Sequence, residues 1–227
     1  MKTMLKEARH RLLGKSKLRK YLAYAIGEII LVVIGILIAL SINNWNEDRK
    51  QAKTEKEFIK GVRNDLIRDR DYMKMVVNRA KNKDQSYIVI NEELFTYYNS
   101  DRPRLDSLLE DYFLFQRTFY PIYGSFQSAV SGNQITQFRN KAFTNSVTKL
   151  YNSTYARLMD NGVDVDNRWH YLTKKYSKIR RTGHMPDMTE AELNEFLDDM
   201  YYHMFGLNYY TNNLETAIRE IDNLLEM

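Results

Sequence analysis

The run Tyr21–Ile42, YLAYAIGEIILVVIGILIALSI, is apolar over twenty-two residues except for Gly27, Glu28, Gly35 and Ser41. As a helix rising about 1.5 Å per residue it is roughly 33 Å long, enough to cross a hydrocarbon core of about 30 Å. Helices buried in a soluble core seldom run this far without a polar face. The run therefore predicts a membrane span, and the rest of the chain has to be arranged around it.

Charge sets the expected orientation. Residues 1–20 carry eight Lys and Arg against Glu7 alone, a net of +7; the whole chain is +5, so residues 21–227 sum to −2. Basic flanks stay in the cytoplasm, which puts residues 1–20 inside and residues 43–227 outside. The basic balance belongs to that flank, so no nucleic-acid partner is expected. Ala39-Leu40-Ser41 loosely resembles a signal-peptide cleavage site. The run is longer than the apolar part of a signal peptide, however, and Glu28 and Trp45 favour a retained anchor. Tyr21, Tyr24 and Trp45 are the expected interfacial anchors.

Two features inside the span suggest contacts. Ala23, Gly27, Gly35 and Ala39 fall on one stripe, where small side chains let another helix approach closely. Glu28 is an ionisable group about 10 Å in from Tyr21 by helix rise. It is read either as a protonatable site at a helix seam or as a carboxyl that snorkels towards Lys20.

The segment YAIGEIILVVIGILIALSINNWNEDRK resembles the anchor signature of a Bacteroidota family of small inner-membrane proteins of unknown function. The likeness covers about residues 18–50. A softer echo lies in Tyr123–Ile135, YGSFQSAVSGNQI, where Ala129-Val130 replaces a more polar pair. The resemblance implies an inner-membrane protein with a periplasmic domain, and brings no reaction and no catalytic residues.

Beyond the anchor the chain reads as all-α. Between Asn43 and Asn99 there is no proline and only Gly61. The seam Ile59, Val62, Leu66, Asp69, Met73, Val76, Ala80, Lys83, Tyr87, Ile90, Leu94 and Tyr97 advances in steps of three and four, and ten of these twelve are apolar. Ser100–Pro103 predicts a turn, Leu105–Phe115 a short helix, Thr118–Gly124 a break, and Ser125–Ser131 another short helix ended by Gly132-Asn133. A second long helix is predicted from Lys141, capped by Asn140, to Arg180. Its seam includes Leu150, Thr154, Leu158, Asn161 and Val165, with a weak point at Asn161-Gly162. Thr189 and Glu192 form a capping box before a helix that Gly206 is expected to break. No period-two alternation predicts a strand.

The expected fold is thus a single N-terminal transmembrane helix followed by a long helix and an antiparallel periplasmic helical bundle. The divisions are residues 1–20, a basic cytoplasmic segment in which Leu5, Ala8 and Leu12 share a face; residues 21–42, the span; residues 43–99, the long helix; and residues 100–227, the remainder of the bundle.

Chemistry is sparse. There is no cysteine, and no phosphate-binding loop, nucleophile elbow or zinc-protease motif. Asp166/His170 and Asp199/His203 sit four apart, a spacing that can hold a metal but more often makes an ordinary polar pair, so neither metal nor cofactor is expected. The seventeen tyrosines suit the rim of a bundle core. The expectation is a non-enzymatic scaffold or accessory subunit in the bacterial inner membrane, its N-terminus cytoplasmic and its C-terminal domain periplasmic. Its partners would be the bilayer and either a second copy or another membrane protein. The alternatives are an ion-coupled small subunit using Glu28 and a periplasmic ligand-sensing bundle.

Overall fold

The structure is a computed structural model that describes the backbone of residues 2–227 and the side chains of residues 19–227. The face formed by Leu5, Ala8 and Leu12 lies outside the described side chains. Among the described residues every regular element is helical: α1 (Lys2–Ser100), α2 (Arg102–Tyr112), α3 (Gly124–Ser131), α4 (Lys141–Lys149), a π-helical turn (Leu150–Tyr155), α5 (Ala156–Lys175), α6 (Ser177–Thr182) and α7 (Glu190–Glu226). The chain divides into two units, residues 1–54 and residues 55–227.

The first unit is helical throughout its described length, and it holds the one long apolar stretch that meets the length and composition of a membrane span among the described residues. None of that stretch is buried within the chain. Ser41 satisfies its hydroxyl locally by donating to the Leu37 carbonyl at 2.8 Å, which lets it sit in an apolar helix at little cost.

The second unit has a continuous core. From α1 it takes Val62, Leu66, Met73, Val76, Ala80, Ile90 and Leu94, all buried, as the heptad-like spacing predicts. Links from α1 to α7 join Arg63 to the Leu225 carbonyl, Arg70 to Asp222, Lys81 to Glu215 and Asp84 to Asn208. The partner number on α7 falls as the number on α1 rises.

Caps set the shorter elements. Asp101 accepts from the Arg104 amide at the start of α2, and Asn140 accepts from Phe143 at the start of α4. Thr189 and Glu192 form the full capping box of α7, the Thr189 amide donating to Glu192 at 2.7 Å. Gly183, at φ 72°, ends α6 in the left-handed region that glycine adopts without strain.

Three sequence expectations are corrected. α2 ends at Tyr112 rather than Phe115: Phe113 still reaches the core, whereas Leu114 and Phe115 are exposed. α7 passes through Gly206 without a break. A helical glycine costs about 1 kcal/mol relative to alanine, and the burial of Met204, Leu207 and Tyr210 on the same turns outweighs it. Gly206 instead makes room for Arg168: a Cβ there would lie 2.9 Å from Arg168 Cδ.

The third correction concerns the long helix predicted over 141–180. It is irregular at Leu150–Tyr155 and at Tyr176, not at Gly162. The π turn carries one more residue than an α turn, and the inward face differs from the regular seam at two positions, while Leu158, Val165, Trp169 and Leu172 stay buried where that seam places them. Tyr155 and Gly162 are buried where the regular seam predicts Thr154 and Asn161. The exchange brings Tyr151 and Tyr155 into an aromatic cluster, with Tyr151 stacked on Phe126 at 4.4 Å and Tyr155 edge-on to Phe119 at 5.1 Å. Such pairs contribute about 0.5–1.5 kcal/mol each beyond area burial, which offsets an irregular turn.

Candidate functional site

The residues singled out in the span all lie on the surface of the first unit. Ala23, Gly27, Glu28, Gly35 and Ala39 are exposed, and a Cβ built at Gly27 or Gly35 meets nothing within 4 Å. Tyr21, Tyr24 and Trp45 are exposed as well, with the Arg49 guanidinium 6.0 Å from the Trp45 ring centroid. Among the described residues of the unit the stripe therefore has no partner helix.

In the second unit, polar chemistry concentrates on an irregular strap, residues 113–123, between α2 and α3. Buried backbone outside regular structure needs partners for its amides and carbonyls. Here side chains supply them. Lys83 on α1 donates to the carbonyls of Tyr112 and Leu114, where α2 ends with unpaired acceptors. Tyr72 donates to the Thr118 carbonyl at 3.3 Å. The Phe119 amide donates to the Tyr210 hydroxyl at 2.7 Å, and Tyr151 donates to the Ile122 carbonyl at 3.0 Å. The Ile122 amide donates to Asp69 at 3.1 Å. Gly162 lets the strap approach α5 closely, since a Cβ there would already touch Thr118 Cβ at 3.4 Å.

Asp69 and Lys83 are the two polar members of the α1 seam, exposed by 1% and 4%. Burial pushes the Asp69 carboxyl up to about 7, against the Ile122 amide, which favours the charged form. The Tyr155 hydroxyl lies beside that carboxyl without reaching hydrogen-bond geometry. Burial, helped by the nearby Arg180 charge, pulls Lys83 down to about 7. Its Nζ lies 4.1 Å from the Trp169 ring centroid, a contact that favours the ammonium and opposes that shift.

Next to Lys83 a hydrogen-bonded chain crosses the core. Tyr112 is fully buried and its hydroxyl keeps its proton, because burial raises its pKa well above the ordinary value. It donates to His203 Nδ1 at 2.7 Å. His203 Nε2 then carries the ring proton and donates to Gln116 Oε1 at 2.8 Å, and Gln116 Nε2 reaches the Val165 carbonyl at 3.5 Å. Desolvation first, then the charges of Lys83 and Arg168, pull the imidazole down to about 3, so it is neutral at physiological pH.

Both spacings weighed for a metal are otherwise engaged. His203 is held by Tyr112 and Gln116, while Asp199 accepts from Lys175 and Tyr176 at 2.7 Å each. His170 Nδ1 meets the backbone carbonyl of Asp166, whose carboxylate accepts from Thr118. No group of three or more metal-ligating side chains gathers among the described residues.

A cavity of about 350 Å³ lies against the strap, lined among others by Gln116, Thr118, Trp169, His170 and Arg180. Lys83 does not line it and is enclosed by carbonyls and rings, so its amine is not presented to a reactant. The arrangement is suited to holding the strap in register. Sequence spacing does not pair the strap with its polar partners; the signal for two of them is the pair of non-apolar residues, Asp69 and Lys83, in an otherwise apolar seam.

No curated protein and no solved structure matches the chain significantly. A family model described as a family of unknown function (DUF6090) matches residues 28–186, more than half of the chain. The match takes in Glu28, Asp69, Lys83, the strap and the π turn, and stops short of His203 and the rest of α7. The chain belongs to the DUF6090 family.

Proposed function

We propose that this protein is a single-pass bacterial inner-membrane protein whose residues 43–227 form an antiparallel periplasmic helical bundle, and that it acts by binding, as a non-enzymatic scaffold or accessory subunit. The observation that carries the reading is the complete exposure of Tyr21–Ile42. An apolar face this long is strongly disfavoured in water at about 25 cal/mol per Å² and needs lipid or another helix to cover it. The +7 flank supports a cytoplasmic N-terminus. The open space at Gly27 and Gly35 supports close approach of a second copy or another membrane protein along the Ala23/Gly27/Gly35/Ala39 stripe.

The experiment is in-membrane crosslinking from a photoreactive residue at Leu31, followed by mass spectrometry. A discrete helix partner that disappears in Gly27→Leu and Gly35→Leu supports the reading. Crosslinks unchanged by both substitutions remove the stripe from it.

A second reading follows from Glu28, which is exposed within the apolar segment. In an ion-coupled subunit this carboxyl takes up and releases a proton against a partner helix. Glu28→Gln separates the two: scaffold assembly persists, whereas ion coupling is lost.

A further inference from the structure

The outward face of α7 carries no charge over four turns. From Met200 to Leu214 there is no Lys, Arg, Asp or Glu, although Asp199 and Glu215 stand at either end. The exposed positions in that stretch are Tyr201, Tyr202, Phe205, Asn208, Tyr209 and Asn212. Steps of three and four put them on one stripe with Phe205 near its centre. The four aromatics are each between 50% and 62% exposed. The Tyr201 and Phe205 rings lie 6.2 Å apart, and Arg168 of α5 stands 4.0 Å over Tyr202. On the other flank Asn208 donates to Asp84 of α1 at 3.1 Å, and one turn along α1 from Asp84 lies Ile88, itself exposed.

A helix face in water ordinarily carries charged side chains, as α1 does at Arg68, Asp71 and Lys74. Core packing does not account for the aromatics of α7, because they point outwards. At roughly 200 Å² per aromatic side chain the four leave on the order of 450 Å² in water. That is more than half of the roughly 800 Å² each partner contributes to a standard interface, and the two asparagines and Ile88 extend it. Tyrosine and phenylalanine without charge is also the composition of an interface centre.

The chemistry of the face selects its partner. A twofold contact sets a patch against its own copy, so a charged patch repels itself. This one has no charge to repel. Each tyrosine hydroxyl and asparagine amide both donates and accepts, so its polar groups can pair with the same groups on another copy. A membrane surface is a poorer match, because helices that lie on lipid set Lys and Arg beside their aromatics. α7 has none between Met200 and Leu214. We propose that this face is the contact between two copies of the chain, packed about a twofold axis near Phe205. The contact goes beyond the scaffold reading: it lies wholly in the second unit and stands whether or not the Gly27/Gly35 stripe has a partner.

The test is photocrosslinking of the full chain in its own membranes, from a photoreactive phenylalanine placed at Tyr209, followed by mass spectrometry. The expected product has twice the mass of the chain and joins position 209 to α7 of the second copy. The same probe at Asn145, exposed on α4, should give no such product. Phe205→Asp sets like charges against each other across the axis and should lower the yield at least about 10-fold, with far-ultraviolet circular dichroism unchanged. If that variant fails to fold, the identity of the joined peptide decides alone. The proposal is overturned by crosslinks only to another protein or to lipid, by no crosslink, or by a second copy joined outside α7. Equal yields from positions 209 and 145, or a yield from 209 untouched by Phe205→Asp in the folded chain, overturn it too. Loss of the span contact probed from Leu31 leaves all of these results unaffected, so the two failures are told apart.

Discussion

The Tyr112 hydroxyl lies 2.7 Å from His203 Nδ1, joining residues ninety-one positions apart at the centre of the second unit. The contact ties the end of α2 to α7, and through Gln116 it extends into the strap. Tyr112→Phe leaves a buried imidazole nitrogen without its donor, and His203→Leu leaves a buried hydroxyl without its acceptor. Each is expected to destabilise the protein by about 1–3 kcal/mol in urea unfolding. The double variant should cost less than the sum of the two, since the second change removes a group already unpaired. Strict additivity would show that the pair does not interact.

Lys83 makes stability depend on alkaline pH. Its folded pKa is pulled down to about 7 while the unfolded value is that of an ordinary lysine. Between pH 7 and about 10.4 the unfolded chain therefore holds more protons on this group, and stability rises with pH across that window. The stability difference between wild type and Lys83→Met should grow from pH 7 to pH 10, by on the order of 4 kcal/mol at most. Parallel pH profiles for the two proteins would contradict a depressed Lys83.

Asp69 acts with the opposite sign. Its folded pKa is raised to about 7, so between about pH 4 and 7 the folded state holds more protons and this group's stabilisation is lost as pH rises. Asp69→Asn keeps an acceptor for the Ile122 amide and cannot ionise. It should match wild type near pH 4 and exceed it at pH 8 in thermal unfolding. A variant less stable than wild type at pH 8 would mean that the ionised carboxylate is favoured in the fold.

Gly162 separates close packing from simple helix propensity. Replacing glycine by alanine within a helix gains up to about 1 kcal/mol, and the new methyl would meet Thr118 Cβ at 3.4 Å, an ordinary contact. Gly162→Ala should therefore be neutral or slightly stabilising. Gly162→Leu has to displace the strap and should cost about 1–3 kcal/mol or more by overpacking. Equal stability of the two variants in urea would show that the strap does not press against α5.

Periodicity made much of this legible in advance. The α1 seam falls where steps of three and four place it, and Asp101, Asn140 and Thr189 cap helices as their types predict. Asp69 and Lys83 stood out in that seam as polar residues at core positions, but their partners are backbone groups of the strap, and no local rule pairs a helix with a distant irregular segment. The π turn was hidden because Thr154 and Asn161 fit a regular spacing as well as Tyr155 and Gly162 do. The packing of Tyr151 on Phe126 and of Tyr155 on Phe119, which no local spacing encodes, favours the observed pair. Propensity alone marks Gly206 as a helix breaker, and tertiary packing overrides it.

The central claim is that Tyr21–Ile42 crosses a membrane with the second unit outside. The chain has no cysteine, so a single introduced one reports its own side. Lys6→Cys and Asn145→Cys would be labelled with a membrane-impermeant maleimide in bacteria whose outer membrane alone has been made permeable. The account predicts labelling of Asn145→Cys at once and of Lys6→Cys only after the inner membrane is opened. Immediate labelling of both, or of Lys6→Cys alone, would contradict it.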